Sequence, residues 1–514
     1  MKLVVPFVFL ACTLVACSNS KTSATPMPTS TAPTFVSGPC PKTPQPIPEL
    51  ADAQCGRLIV PEDRRHPNGH TISLSVAIIA ADSANKKSDP IVWLAGGPGD
   101  DAITEIPLAV AGKLNANRDV IFMSQRGTYT AHPALTCEVV DRWAEETLNM
   151  PYDAKATGDA YVVATRKCRQ ELAAKTSDLP AYNTLESSDD LEALRLALHY
   201  PKWNIYGISY GTDLALNYMR MHPSGIRSVG IDGVFPPPLA GGAGTWPSAA
   251  EGISAVFKAC GGQTACHQRY GDVAATFQKL VKQYEASPKT FSVTVPGHTR
   301  KVDVMISGGM LVQWAVSPGT HTAGEMPAAF DALARGDATF IASTWAKPKL
   351  DPAGIGVLSN GLFDSIACGE WVPYETEADV VNSGRRVFPM FSVSIWKNAP
   401  NLPFMRQYCG VWNVPAVPSQ VREVTHSKIP TLVVSAQYDA QTAAAYGRYV
   451  ARTRPNSTVV TIPNVAHVAY GSPSAEANKC AFAIAQSFFD NPSHADTSCI
   501  RKIVPTKFRI TPKS

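Results

Sequence analysis

Several patterns are missing from this chain, and each absence removes a class of function. No C-x-x-C pair occurs and the histidines are not spaced as zinc partners, so no metal site is expected. Charge of one sign is not in surplus. The 46 Lys and Arg against 42 Asp and Glu leave +4, too little basic bias to point to nucleic acid, and there is no acidic tail. No internal repeat is visible. The apolar run Leu3–Ala16 is too short to span a bilayer. No cofactor is expected, and the oligomeric state is left open.

What is present points to an exported, folded chain. Hydrophobic residues make up 45% and charged residues 17%, a balance that buries a core, and 514 residues exceed one ordinary domain. Lys2 followed by the apolar run reads as a secretory signal over residues 1–16. Leu14-Val15-Ala16-Cys17 matches a lipobox, so Cys17 is expected to carry lipid and anchor the chain to a membrane; the alternative is ordinary cleavage and secretion. Ser18 follows Cys17, which in a cell with two membranes resembles an outer-membrane sorting signal. Residues 17–38 are rich in Ser, Thr and Pro, cannot bury a core, and are expected to form a tether. Of 12 cysteines, 10 lie beyond the signal and its Cys17, an even set suited to disulfides in an oxidising compartment. Sequence alone leaves their connectivity open; chain order suggests Cys40–Cys55, Cys137–Cys168, Cys260–Cys266, Cys368–Cys409 and Cys480–Cys499.

From about Cys55 the chain alternates short apolar strands with helices. Gly69–Ala81, Pro90–Gly99, Asp119–Gly127, Trp203–Gly207, Ser228–Gly233, Pro430–Ala436 and Ser457–Pro463 read as strands or strand-to-loop runs. Asp189–Tyr200, with Asp189 as N-cap, Thr212–Pro223 and Lys479–Phe489 read as helices. Continuous apolar strands between helices argue for a mostly parallel sheet covered on both faces. Between Phe235 and Lys428 the beat stops, and nearly 200 residues look helical. The expected division is a core over 39–235 and 429–514, with 236–428 inserted as a cap.

One strand ends in Gly207-Ile208-Ser209-Tyr210-Gly211, a G-x-S-x-G elbow. A serine on a sharp strand-to-helix turn needs small neighbours, and the helix after it offers a free amide to developing negative charge. Ser209 is therefore the expected nucleophile. A serine needs a base oriented by a third group, and on such an elbow the chain order is Ser, then acid, then His. His467, just past the last strand, is the expected base. Asp439, after Pro430–Ala436, is the expected acid, and Asp232, ending the preceding strand, is its rival. The glycines of "LAGGPGDD" (Leu94–Asp101) suit an oxyanion loop, so Gly96 or Gly97 with the amide of Tyr210 is the expected oxyanion hole.

These residues, with "CGRLIVPEDRRHPNG", "GGPG", "SQRGTYTAHPALTC", "GISYGTDLALNY", "IDGVFPP" and "CAFAIAQSFF", resemble the α/β-hydrolase serine peptidases of the tripeptidyl aminopeptidase and proline iminopeptidase group, in particular its exported bacterial branch. The resemblance covers nearly the whole chain beyond the signal. It implies an α/β-hydrolase fold with a large, mainly helical cap, and a Ser209, Asp439, His467 triad that cleaves peptides from a free N-terminus. The alternative is an exported carboxylesterase or lipase-like hydrolase with the same triad. Three departures stand out: Ala95 replaces a usual His, Ser124 a usual Asp, and Ala436 and Ala443 the Gly and Pro of the acid loop. Family members bind the substrate ammonium with cap carboxylates, and "DSIACGEWVP" (Asp364–Pro373) makes Glu370 the expected amine anchor.

Overall fold

A computed structural model describes residues 33–175, 178–317, 323–400, 404–470 and 474–511. The expected signal, Cys17 and most of the tether lie outside the described residues. Nine strands form one sheet: β1 (Thr34–Ser37), β2 (Gln54–Pro61), β3 (Thr71–Ile79), β4 (Ile91–Leu94), β5 (Val120–Met123), β6 (Trp203–Ile208), β7 (Ile226–Asp232), β10 (Thr431–Ala436) and β11 (Ser457–Ile462). Two more, β8 (Lys289–Thr294) and β9 (Lys301–Ile306), pair separately as an antiparallel hairpin.

The nine-stranded order is β1-β2-β3-β5-β4-β6-β7-β10-β11. Pairing is antiparallel from β1 to β5 and parallel from β5 through β4 to β11. Every residue of β4, β5, β6 and β10 is buried, as the continuous apolar runs require of strands covered on both faces. The helix Ala475–Asp490 packs Phe482, Ile484 and Phe488 on one face of the sheet; Leu191 and Leu194, with Leu214 and Met219, cover the other.

Between β7 and β10 the chain is mostly helical but contains the β8–β9 hairpin, which the sequence reading missed. Its strands are only partly buried, so their apolar signal is weak. The helix expected from Asp189 begins earlier, at Thr184. Asn183 caps it by accepting from the Glu186 N–H at 3.0 Å, whereas Asp189 faces Nε2 of His222 at 2.8 Å. All five disulfides follow the pairing suggested by chain order. Among the described residues no helix is long and apolar enough to cross a membrane.

Candidate active site

Ser209 sits between β6 and the helix Tyr210–Met221 with φ +49°, a left-handed conformation that costs energy for any residue with a Cβ. Two glycines make the turn possible. A Cβ on Gly207 would lie 2.4 Å from the Gly211 carbonyl oxygen, and one on Gly211 would lie 2.2 Å from that of Leu94. The turn places the Tyr210 N–H first in its helix, where no i−4 carbonyl is available to it.

His467 lies past β11, and its Nε2 is 2.9 Å from Ser209 Oγ. Its Nδ1 lies 3.1 and 3.0 Å from the two carboxylate oxygens of Asp439, which follows β10. Asp439 is held in turn. Its Oδ1 accepts from the Gln441 and Thr442 N–H groups at 2.8 and 2.7 Å, and its Oδ2 accepts from Thr442 Oγ1 at 2.6 Å. Thr442 Oγ1 is also 3.1 Å from His467 Nδ1, a contact the sequence reading did not single out. Burial pushes the Asp439 carboxyl up, but His467 and the Thr442 donors outweigh it and the net direction is down. Burial pulls the His467 imidazolium down, and Asp439 outweighs that, leaving it above the ordinary 6.5.

Among the described residues Asp232 forms no hydrogen bond or ion pair with the imidazole ring, although its charge raises His467. Its carboxylate accepts from the Ala469 N–H at 3.1 and 3.0 Å and from the Tyr470 N–H at 3.4 Å. Between His467 and these amides stands Val468 with φ +52°, strained for a β-branched residue. Asp232 thus pins a strained histidine loop. Its burial lifts its carboxyl to about 7.

The glycine loop borders the nucleophile. A methyl on Gly96 would lie 3.0 Å from Ser209 Cβ, and Gly97 (φ +99°) lines a cavity of about 270 Å³ with Ser209, Tyr210, Phe235, Phe363 and Trp371. Trp371 meets Phe235 and Phe363 edge-on at 5.6 and 5.9 Å, so one wall is aromatic. The loop is tied down by Asp101, unremarked in the sequence. It accepts from the Ile103 N–H (3.0 Å), Ser124 Oγ (2.9 Å), the Thr130 N–H (2.6 Å) and Thr130 Oγ1 (2.9 Å). Ser124, where an aspartate was expected, is therefore the donor to an aspartate at the other end of the contact.

Glu370 is not brought to this cavity. It lies in a π-helical turn, Ala367–Trp371, at 1% exposure. Its carboxylate accepts from the Thr184 N–H and Oγ1, each at 2.7 Å, and Thr184 Oγ1 is 2.8 Å from the Tyr210 hydroxyl. The cap is thereby linked through Thr184 to the residue after the nucleophile. Burial lifts the Glu370 carboxyl to about 7, against the Thr184 donors and Arg422. Among the described residues one group, Asp63, His66 and Asp178, brings possible metal ligands together, and Arg65 Nε already donates to Asp63 at 2.9 Å.

Comparison with known proteins matches two family models: "alpha/beta hydrolase fold" over residues 89–254 and "TAP-like protein" over residues 399–499. The first stretch contains Gly96, Ser209 and Asp232, the second Asp439 and His467. Among curated proteins, the tripeptidyl aminopeptidase of Streptomyces lividans is 30% identical over 197 residues, covering 36% of this chain and 36% of that one. The serine protease Hip1 of Mycobacterium tuberculosis is 28% identical over 197 residues, again covering 36% of each. The proline iminopeptidase of Neisseria gonorrhoeae is 24% identical over 180 residues, covering 34% of this chain and 42% of that one. The chain thus spans about a third of the length of the first two relatives. Sheet order, the elbow between β6 and its helix, and the matched model around it agree that the chain has the α/β-hydrolase fold.

Proposed function

We propose that the chain is a serine hydrolase that cleaves peptides from a free N-terminus through an acyl-enzyme. The observation that carries the reading is the 2.9 Å contact of Ser209 Oγ with His467 Nε2, backed by Asp439 on Nδ1. In this reading Ser209 Oγ bonds to the substrate carbonyl carbon while its proton passes to His467 Nε2. The oxyanion meets the Tyr210 N–H and a donor from Gly96 or Gly97. Collapse breaks the C–N bond, the leaving amine takes the proton from Nε2, and water then releases the acyl group by the same steps reversed. Relatives named tripeptidyl aminopeptidase and proline iminopeptidase support peptides as substrate.

We place the enzyme outside the cytoplasm. Five disulfides support an oxidising compartment, and Cys17 is proposed as a lipid anchor followed by the tether. The proposed division keeps 39–235 and 429–514 as the catalytic core and 236–428 as the cap.

A substrate pair tests the reading: a free-amine aminoacyl or peptidyl anilide and its N-acetylated form. The proposal expects the free amine to be cleaved preferentially. Equal cleavage of both, or hydrolysis of nitrophenyl esters alone, would make the chain a carboxylesterase, an outcome the aromatic cavity wall also accommodates.

A further inference from the structure

If the substrate presents a free ammonium, a carboxylate must receive it, and the acids around Ser209 can be sorted by what already occupies them. Asp439 is bound to His467 and Thr442. Asp232 holds the Ala469 and Tyr470 amides. Asp101 accepts four hydrogen bonds, Glu105 accepts from Trp93 Nε1 at 2.5 Å, and Glu370 is spent on Thr184. Asp100 differs. Its carboxylate accepts no hydrogen bond and forms no ion pair among the described residues, and the residue keeps some solvent-accessible surface. Asp364 also lacks partners, but both its oxygens are sealed from solvent, in a part of the cap where its charge faces Tyr161 and Tyr408.

Asp100 is not among the residues that line the cavity of about 270 Å³, but it lies close to the nucleophile. The same methyl built on Gly96 that would lie 3.0 Å from Ser209 Cβ would lie 3.6 Å from Asp100 Oδ2, so nucleophile and carboxylate flank one glycine, roughly 7 Å apart at most. In an acyl-enzyme the ammonium of the acylated residue lies four bonds from Ser209 Cβ. Adding one hydrogen bond gives a reach of about 8 Å. An ammonium two residues further along an extended chain lies about 7 Å beyond that reach. Burial lifts the Asp100 carboxyl above its ordinary range; His467, Asp101, Glu105 and Tyr470 are the ionisable groups that face it. A partly buried acid without a partner among the described residues is stabilised by an arriving cation.

We infer that Asp100 receives the α-ammonium of the residue whose carbonyl Ser209 attacks, so that the enzyme removes one N-terminal residue at a time. The inference rests on the proposed peptidase reading and names its substrate class, peptides with an unblocked N-terminus cleaved after the first residue. It moves the anchor from the cap to the oxyanion loop.

The test uses the full chain and Asp100→Asn. The substrates are alanyl and prolyl nitroanilides, their N-acetyl forms, and an unblocked decapeptide followed by mass spectrometry. Asp100→Asn is expected to lower kcat/KM for the free-amine anilides relative to the acetylated ones by about 10- to 100-fold, mainly through KM, as expected for a hydrogen bond to a charged group. The wild type is expected to shorten the decapeptide by single residues. Equal loss on both substrate classes, no loss, or first release of a dipeptide or tripeptide overturns the inference. Fluorophosphonate labelling of Ser209 separates the layers. A wild type that prefers free amines, with a preference that Asp100→Asn keeps, overturns only the anchor. A labelled wild type that ignores free amines overturns the peptidase reading and the anchor with it; an unlabelled wild type overturns the serine-hydrolase reading beneath both. Labelling of Asp100→Asn reports that the variant is folded.

Discussion

Replacing Glu370 by glutamine distinguishes a structural link from a substrate anchor. The side chain is 1% exposed, and burial lifts its carboxyl from 4.5 to about 7, with the Thr184 donors and the charge of Arg422 opposing the lift. The folded-state value lies above the unfolded one. The carboxyl's contribution to stability is therefore complete below pH 4.5 and is lost as pH rises to 7. An upward shift of this size makes the ionised form cost about 3 kcal/mol at pH 8 relative to the protonated form. Glutamine is neutral at every pH and nearly the same shape. Its carbonyl can accept from the Thr184 N–H, and its amide can donate to Thr184 Oγ1, which then donates to Tyr210. Thermal midpoints of wild type and Glu370→Gln, measured side by side from pH 4.5 to 8, are expected to agree at the acid end. The variant should gain steadily through pH 7, by several degrees, and then level off. A difference that does not change with pH, or a variant that loses stability as pH rises, refutes the argument. In activity, the variant should affect free-amine and N-acetylated substrates alike, because the carboxylate binds Thr184, and through it Tyr210, and does not line the cavity.

Asp439→Asn should lower kcat on any substrate by about 10⁴-fold while leaving the fold intact, since the amide favours the wrong imidazole tautomer; a loss below 10-fold in anilide hydrolysis would contradict the assignment. Asp232→Ala should release the Ala469 and Tyr470 amides beneath the strained Val468, costing about 2–3 kcal/mol by denaturant titration and reducing activity as well; an unchanged midpoint would show that the loop holds itself. The pH profile of kcat/KM should fall on the acid side through a value above 6.5, because a protonated His467 cannot accept the serine proton and Asp439 favours that protonated form; a profile flat down to pH 5 would exclude His467 as the base.

The elbow, the two loops after β10 and β11, and the parallel half of the sheet were legible because local chemistry dictates them. Gly207 and Gly211 have no alternative at their contacts, and β6 and β10 are apolar along their whole length. Residues whose role depends on packing between distant segments were not legible. Glu370 meets Thr184 across 186 positions, so a motif that resembled an open anchor became a buried link. Asp439, three residues past β10, was the expected acid, and Asp232, the last residue of β7, its rival. The structure shows which part of the histidine loop each one reaches: the ring for Asp439, the following amides for Asp232. Asp100 and Asp101 stood in a loop read for its glycines. One became the loop's fastening and the other an acid without a partner among the described residues, a difference set by Ser124 and Thr130 more than 20 positions away.

The central claim, that Ser209 is a nucleophile activated by His467 and Asp439, is tested most directly by fluorophosphonate labelling of wild type and Ser209→Ala. The account predicts stoichiometric labelling of the wild type on a peptide containing Ser209 and none of the variant. An unlabelled wild type, or full labelling of Ser209→Ala, contradicts it.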